Sequence, residues 1–297
     1  RTNFFNKIWC LKSKYMSFLD RIKQCNNVDD FSKFIPFVVE GARVGWIHHK
    51  FCYVLKKFDQ IFEFFEKKIC LSPQLVTYQE KTMAIDCVVK FLAEEGWIAE
   101  PSDELYPVST GFYTTPFFEM DRSAISRFGV SAHGIHINGF VSLRNEIFMW
   151  IGRRADDKST YPGQLDNMVA GGQPVGLSLR DNILKECAEE AAIPPDLARK
   201  AKAVGSITYQ YEENNCLKPD TMFVFDLELP SDFNPINTDG EVADFKLLPV
   251  REVMSITADT TAFKFNCAAV NIDFFIRHGL LLPENRDYID IQRGLHQ

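Results

Sequence analysis

The 297-residue sequence lacks the features that mark several common protein classes. Its eight cysteines form no C-x-x-C pair and no cluster with histidine at the spacing of a zinc site. No stretch approaches the roughly 18 uninterrupted apolar residues of a membrane-spanning helix, so no membrane partner is expected. Internal repeats and low-complexity segments are missing as well. The composition that remains, 46% hydrophobic and 25% charged, is ordinary for a soluble globular protein.

A basic stripe is also missing. Residues 1–100 carry 15 Lys and Arg against 12 Asp and Glu, which leaves 18 against 28 in the remainder of the chain. An acidic second half argues against binding to a phosphate backbone, so no nucleic-acid partner is expected. It suits a site that recruits a divalent cation, although a solvated acidic surface alone would give the same imbalance.

The cysteines and the N-terminus bear on the compartment. Cys52, Cys87 and Cys187 lie in apolar, helix-like contexts, so we expect buried, reduced thiols and a cytoplasmic location. Residues 1–14 lack the apolar region and cleavage site of a signal peptide. Because the first helix-like run begins after Met16, residues 1–15 are interpreted as a possible appendage. Nothing in the sequence indicates an oligomeric state.

Residues 16–125 are predicted to form a small α+β N-terminal domain. An apolar run over 34–40 and a strand pair, Ile61–Phe65 and Lys68–Leu71, alternate with helical patterns. The predicted helices cover about 17–25, 29–34, 50–57 and 78–96. Residues 101–131 are punctuated by Pro, Ser and Thr and form a candidate junction.

Residues 126–297 show a different order of elements. The predicted strands are Gly134–Leu143, Ile147–Ile151, Val204–Tyr211, Thr221–Leu229 and Phe245–Pro249. A helix of about 14 residues is expected after Gly171 and Gly172, and a terminal helix over about 261–278. This order places a helix between two groups of strands and a second helix at the end. It indicates the α/β class and predicts an α/β/α sandwich on a mixed sheet.

The informative stretch is 171–193, GGQPVGLSLRDNILKECAEEAAI. Ser178 and Asp181 form a capping pair, so the helix should begin near Leu179, and Pro194 should end it. At 100° per residue, Glu186, Glu189 and Glu190 fall within an arc of about 100°. The opposite face, expected to be the packed one, is formed by Leu184, Cys187, Ala188 and Ala191.

Three carboxylates on one helical face repel one another unless a cation joins them. Each like-charge pair costs about 0.2–0.5 kcal/mol in water. Mg²⁺ prefers carboxylate and phosphate oxygens, so it would convert this repulsion into a site. Acidic helix faces are usually only solvated, but here Gly171, Gly172 and a turn on Pro174 and Gly176 precede acids at fixed offsets.

This stretch resembles the Nudix signature: glycine, five residues, glutamate, seven residues, then Arg-Glu-aliphatic-any-Glu-Glu-any-Gly-aliphatic. Gly171 opens the pattern, and the glutamates and Ile193 fall on their places. The departures are Leu177 for the first glutamate, Lys185 for the arginine, Cys187 for an aliphatic residue and Ala192 for the glycine. In the family, the first glutamate and the arginine look like structural ion-pair partners and not like metal ligands. Loss of that glutamate is expected to leave Lys185 without its partner, while the metal-binding acids are all retained.

Further segments resemble one subfamily, the Nudix proteins related to the hydrolase domain fused to thiamine pyrophosphokinase. These segments are 157–172 (DKSTYPGQLDNMVAGG), 237–242 (NTDGEV), 263–267 (FKFNC), 274–279 (FFIRHG), and, in the leading domain, 36–46 (PFVVEGARVGW) and 103–107 (DELYP). The resemblance implies hydrolysis of a small-molecule diphosphate, thiamine diphosphate or its damaged oxo and oxy forms, to the monophosphate and phosphate. It also implies Mg²⁺, or Mn²⁺, as cofactor.

Within this interpretation the residues receive roles. Glu186 and Glu190 would be direct metal ligands, Glu189 a ligand or water-mediated partner, and the Gly171 carbonyl a further ligand. The general base is Glu189 or Glu241. Substrate contacts are expected from Lys158, Arg153 and His136, although surface or structural roles are open for all three. Two alternatives also stay open: a general nucleoside-diphosphate-X pyrophosphatase, and a non-catalytic ligand sensor on the same fold.

Overall fold

The computed structural model describes residues 16–158 and 160–297, so the predicted appendage of residues 1–15 lies outside the described residues. Within the described part, no helix combines the length and the apolar character needed to cross a membrane.

The N-terminal part is built on a four-stranded sheet. Helix α1 (Phe18–Cys25) and a short 3₁₀ turn (Phe31–Lys33) lead into it. The further elements are β1 (Phe34–Val39), β2 (Ala42–His48), α2 (His49–Leu55), β3 (Phe62–Phe65), β4 (Lys68–Leu71), α3 (Tyr78–Glu94), the hairpin strands β5 (Leu105–Val108) and β6 (Phe118–Asp121), and α4 (Arg122–Ile125). The sheet order is β2-β1-β4-β3, with β1 and β4 parallel.

This part has its own hydrophobic core, which runs from Ile35 to Val130 and is rich in phenylalanine rings. Helix α1 lies within the range predicted for the N-terminal domain, yet Ile22 and Cys25 belong to the core of the C-terminal part. The Cys25 thiol donates to the Phe265 carbonyl at 3.1 Å, and Arg21 donates to the Thr260 carbonyl at 3.0 Å. The first helix of the described chain therefore packs with the last third of the sequence.

The C-terminal part contains the larger sheet. Its elements are β7 (His133–Leu143), β8 (Glu146–Arg154), β9 (Leu165–Asp166), β10 (Val169–Gly172), α5 (Leu179–Ala191), α6 (Pro195–Ala198), β11 (Lys202–Thr208), β12 (Tyr211–Glu213), β13 (Cys216–Lys218), β14 (Thr221–Glu228), β15 (Val242–Pro249), α7 (Val250–Asp259), α8 (Phe265–Arg277) and α9 (Tyr288–Gly294).

The larger sheet is mixed and covered on both faces. Its order is β11-β14-β7-β8-β15, with β10 on β7 and β9 on β8. Strands β14 and β7 are parallel, and the other pairs are antiparallel. One hydrophobic cluster joins the sheet to α5 and α6, and another joins it to α1, α7, α8 and α9. The predicted α/β/α sandwich on a mixed sheet, preceded by an α+β unit, is confirmed.

Several predicted elements differ in detail. The helix expected over 29–34 is only the 3₁₀ turn Phe31–Lys33, and the strand expected over Val204–Tyr211 ends at Thr208. Helix α7 was not predicted, because its apolar residues Val250, Val253 and Ile256 follow directly on strand β15 without a separating loop. The expectation of a buried thiol fails at Cys87, which is exposed, whereas Cys187 is buried.

Candidate functional site

Helix α5 has the ends that its sequence specifies. The Ser178 hydroxyl accepts a hydrogen bond from the Asp181 N–H at 3.1 Å, so the predicted cap is present. At the other end Ala192 is left-handed, with φ 51°. The Ile193 N–H donates to the Cys187 carbonyl at 2.9 Å, which closes a Schellman motif. Ala192 therefore occupies the backbone conformation for which the family pattern has glycine.

The loop before α5 is braced by two buried amides that the sequence reasoning did not single out. The Asn182 amide donates to the Gly172 carbonyl at 2.7 Å and to the Gln173 side-chain oxygen at 3.1 Å. The Gln173 amide donates to the Leu177 carbonyl at 2.7 Å. These contacts tie the loop to the helix at the place where the family pattern has its first glutamate, now Leu177.

Two of the three glutamates lie on the packed side of α5, and only the third, Glu189, is exposed. Glu186 and Glu190 are each 8% exposed, while Ala188 is exposed. The expectation that Ala188 lies on the packed face is therefore wrong, because the buried arc also includes Ile183 and is centred nearer to Glu190. The Glu186 side chain lies against Gly171, where an added Cβ would come 2.3 Å from its carboxyl carbon. Only glycine at 171 leaves room for this carboxylate.

Glu190 is a buried carboxylate without a cation. It accepts a hydrogen bond from the Ala170 N–H at 2.8 Å, and no ion pair to it occurs among residues 16–158 and 160–297. Burial raises its pKa well above the ordinary value, and the charges of Asp166, Glu186 and Glu241 raise it further. A carboxyl group in this position gains strongly from an added positive charge.

Lys185, the residue at the family's arginine position, has partners in its own helix. Its ammonium lies 3.0 Å from Glu186 and 3.1 Å from Glu189. Burial opposes the charge, yet these two glutamates raise the pKa of Lys185 above its usual value. The acidic face therefore has a counter-charge, contrary to the expectation that Lys185 is left without a partner.

The turn that precedes the edge strand β15 brings Glu241 close to α5. Thr238 donates its hydroxyl to the Glu189 carbonyl at 2.6 Å, and Ile236 donates its N–H to the Ala191 carbonyl at 3.2 Å. Lys158 lies 2.7 Å from the Glu241 carboxylate. Burial works against ionisation, but Lys158 outweighs it and lowers the pKa of Glu241, with smaller contributions from Arg122 and Arg154.

A small cavity lies between this turn and the helix. It is lined by Gly152, Arg153, Arg154, Asp166, Asn167, Glu190, Glu241 and Val242. Arg153 bonds to Asp244 and Asp156, both at 2.8 Å. The structure thus brings Glu190, Glu241 and Arg153 to one cavity, with Lys158 bound to Glu241. A larger cavity of about 270 Å³ on α5 and α6 is lined mostly by apolar residues and by no acid, so it offers no metal ligand.

His136 lies in a buried polar network beside this cavity. Its ring nitrogen Nδ1 is 2.8 Å from the Asn167 side-chain oxygen. Burial lowers the pKa of His136 to about 4, so the ring is neutral near pH 7. The Cys267 thiol donates to Asp166 at 2.7 Å, and Arg154 lies 3.0 Å from the same carboxylate. His136 does not line the cavity itself, and its predicted contact with substrate stays a prediction.

The donor atoms fit a hard divalent cation. The uncompensated Glu190 carboxylate, with Glu186 and Glu241 close enough to affect its pKa, offers the oxygen ligands that Mg²⁺ prefers. Within the described residues, the one set of three candidate ligands with atoms inside 4.8 Å of one another is His136, Asp166 and Cys267. Asp166 of that set already forms an ion pair with Arg154, and the positive charge of Arg154 disfavours a metal there.

The N-terminal part also reaches this region, which the sequence reasoning did not anticipate. Tyr106 of β5 packs on Gly172, where an added Cβ would lie 1.5 Å from the tyrosine hydroxyl. Glu104 and Arg122 beside it form an ion pair of 2.7 Å. The available signal was the segment 103–107, which carries part of the subfamily resemblance but no recognised chemistry.

Comparison with known proteins gives the family. Residues 17–132 match a family described as a domain of unknown function, DUF4743. The chain is 43% identical over 286 residues to Nudix hydrolase 24, chloroplastic, of Arabidopsis thaliana, and 42% identical over 293 residues to Nudix hydrolase 20, chloroplastic, of the same plant. Each alignment covers 95% of this chain and 78% of the relative.

Solved structures are more distant. An Ap4A hydrolase from C. elegans in a binary complex is 14% identical, with a TM-score of 0.38, over 50% of this chain and 99% of that one. A likeness of this size says nothing about activity. The identity to the plant proteins does decide the family: the chain belongs to the Nudix hydrolases, enzymes that act on diphosphate bonds. Such hydrolases generally use a divalent metal ion and small-molecule substrates.

Proposed function

We propose that this protein is a Mg²⁺-dependent pyrophosphohydrolase that cleaves thiamine diphosphate, or its oxo and oxy forms, to the monophosphate and phosphate. What supports the substrate class is the meeting of separate subfamily segments at one cavity. Asp166 and Asn167 come from 157–172, Glu241 comes from 237–242, and Cys267 from 263–267 bonds to Asp166. Segments with the same subfamily resemblance thus surround the place where a substrate would meet the glutamates.

The metal ligands in this proposal are Glu186, Glu190 and the Gly171 carbonyl, with Glu189 as a ligand or water-mediated partner. Mn²⁺ is expected to support activity in place of Mg²⁺. A bound divalent ion supplies positive charge that neutralises the diphosphate. The glutamates would hold the ion. Water would attack one phosphorus, and the bridging P–O bond would break so that the other phosphate leaves.

The general base, Glu189 or Glu241, would take the proton of the attacking water. Both carboxylates lie next to an exposed or half-buried lysine, Lys185 and Lys158 respectively. Lys158 and Arg153 would also contact the phosphate groups. A direct role of His136 requires substrate to reach a side chain that is only 5% exposed.

The deciding experiment is a substrate panel with metal-stripped protein. Thiamine diphosphate and oxythiamine diphosphate would be compared with ADP-ribose, NADH and nucleoside diphosphates, each with Mg²⁺, with Mn²⁺ and with excess EDTA. We expect metal-dependent release of phosphate with the highest kcat/KM on the thiamine-type diphosphates. A clear preference for ADP-ribose or NADH would identify a general nucleoside-diphosphate-X pyrophosphatase instead. Binding without turnover would favour the sensor alternative.

The cytoplasmic location predicted from the sequence stays a prediction. The names of both plant relatives describe those proteins as chloroplastic. Fractionation of the source cells with an antibody to this chain would test the location directly.

A further inference from the structure

The hairpin β5–β6 of the N-terminal part lies directly on the loop that precedes α5. The Val175 N–H donates to the Leu105 carbonyl at 2.9 Å, which joins the two parts through their backbones. The Tyr106 hydroxyl touches Gly172, the residue after the glycine that Glu186 packs against. Strand β5 therefore forms one side of the region around the glutamates.

Glu104 immediately precedes β5 and comes two residues before Tyr106, so the two residues are separated by about 7 Å of chain. The Arg122 N–H donates to the Glu104 carbonyl at 2.9 Å, which continues the β5–β6 ladder and places Arg122 opposite Glu104. Their side chains meet at 2.7 Å, with the arginine side chain 57% exposed.

Two observations place this ion pair beside the site. Glu104 comes two residues before Tyr106, whose hydroxyl lies against Gly172, and Glu186 packs on the neighbouring Gly171. Arg122 is close enough to Glu241 in the 237–242 turn for its positive charge to act on that carboxylate. The ion pair therefore lies next to the region that holds these two acids.

We propose that Arg122 is a substrate-binding residue of the hydrolase site, and that its guanidinium exchanges Glu104 for a phosphate group of the substrate. A guanidinium offers a planar fork of N–H donors that matches a phosphate. Exposed ion pairs contribute little free energy, so the exchange has a small cost. The N-terminal part would then supply a side chain to the active site. This inference rests on the proposed diphosphate chemistry.

The test compares Arg122→Gln with Arg43→Gln, an exposed arginine of the same part of the chain that stacks on Trp46. Wild type and variants are assayed for KM and kcat on the best diphosphate of the panel. Binding of methylenediphosphonate with Mg²⁺ is measured by calorimetry. We expect Arg122→Gln to raise KM and weaken methylenediphosphonate binding by about tenfold each, with Arg43→Gln unchanged. Arg122→Lys should recover part of the loss, because it keeps the charge without the fork.

Glu104→Gln is expected to change KM in the opposite direction. It removes the competing carboxylate, so KM should fall severalfold. A folded Arg122→Gln protein with wild-type KM and wild-type methylenediphosphonate affinity would overturn the proposal, as would a rise of KM in Glu104→Gln. If wild type hydrolyses no diphosphate while Arg122→Gln still weakens methylenediphosphonate binding, the proposed function fails but Arg122 keeps its place as a phosphate-binding residue.

Discussion

Two buried carboxylates, Asp166 within the segment 165–172 and Glu190 of α5 beside it, are stabilised in opposite ways. Asp166 has both carboxylate oxygens occupied: Asn167 and Cys267 donate to one, and Arg154 to the other. Glu190, in contrast, has one backbone N–H and no ion pair among the described residues. Both carboxylates are about equally buried, at 7% and 8% exposed.

Their pKa values diverge as a result. Burial acts to raise the pKa of Asp166, but Lys264 and Arg154 outweigh it and lower the value to about 2. Burial raises the pKa of Glu190, and the negative charges of Asp166, Glu186 and Glu241 raise it further. Asp166 is thus compensated by the protein itself and serves structure. Glu190 has no such compensation among the described residues, so its ionised form would gain from a bound cation, as the proposed role of a metal ligand requires.

Glu190→Gln is the strongest test of this difference between Glu190 and Asp166. The amide keeps the size and can still accept from Ala170, so folding should survive and the metal-free protein should be as stable as wild type or more so. Turnover with Mg²⁺ should fall by about a hundredfold or more, since a charged ligand of the cation is lost. Circular dichroism, Tm with and without Mg²⁺, and kcat measure this. A folded variant that keeps more than about a tenth of its turnover would remove Glu190 from the site.

Asp166→Asn should show the opposite pattern. It leaves the largely buried Arg154 guanidinium without its carboxylate, which costs about 3 kcal/mol of unfolding free energy. Asp156→Asn is the matched control, because Asp156 pairs with Arg153 at 2.8 Å but its side chain is 80% exposed, and this should cost under about 1 kcal/mol. Urea unfolding measures both. Equal losses would show that Asp166 is not the compensated acid described above.

The lowered pKa of Asp166 also predicts how the unfolding free energy depends on pH. The folded pKa of Asp166 is depressed from 3.8 to about 2, so its contribution is present above pH 4 to 5 and is lost as pH falls toward 2. The difference in unfolding free energy between wild type and Asp166→Asn should therefore shrink by about 2 kcal/mol over that interval. Urea titrations at several acidic pH values test this. A difference that stays constant contradicts the depressed pKa.

Ala192→Gly, at the residue that ends helix α5, is expected to change stability without changing turnover. A left-handed conformation strains alanine but not glycine, so unfolding free energy should rise by about 1 kcal/mol with kcat unchanged. Ala188→Gly, in the right-handed interior of the same helix, should lower it by about 1 kcal/mol. Thermal unfolding of both variants gives the two signs. Destabilisation by Ala192→Gly would show that the end of the helix is not strained.

The smallest effect is expected from Lys185→Gln. Lys185 is only a half-exposed partner of Glu186 and Glu189, so its loss should change stability by less than about 1 kcal/mol. Because the ammonium no longer competes with the cation, the apparent Mg²⁺ affinity should rise a few-fold in a calorimetric titration. A weaker affinity would mean that Lys185 orients the glutamates for the metal.

The sequence by itself determined the elements whose signals lie within a few residues. The cap of Ser178 and Asp181 and the stop at Pro194 located α5 to within two residues, and strand alternation located β7 and β14. The family likeness of 171–193 also follows from local spacing. Capping and periodicity are properties of neighbouring residues, so no long-range contact is needed to predict them.

Only the tertiary structure decided how distant segments combine. It placed Glu186 and Glu190 against the sheet and paired Asp166 with Arg154. It also packed α1 on α8 and placed Arg122 beside the glutamates. The residues in these contacts are between 12 and 240 positions apart in the chain, and a local pattern carries no information about which other surface will cover it. The physical reason is that burial and ion pairing depend on packing, which the whole chain determines together.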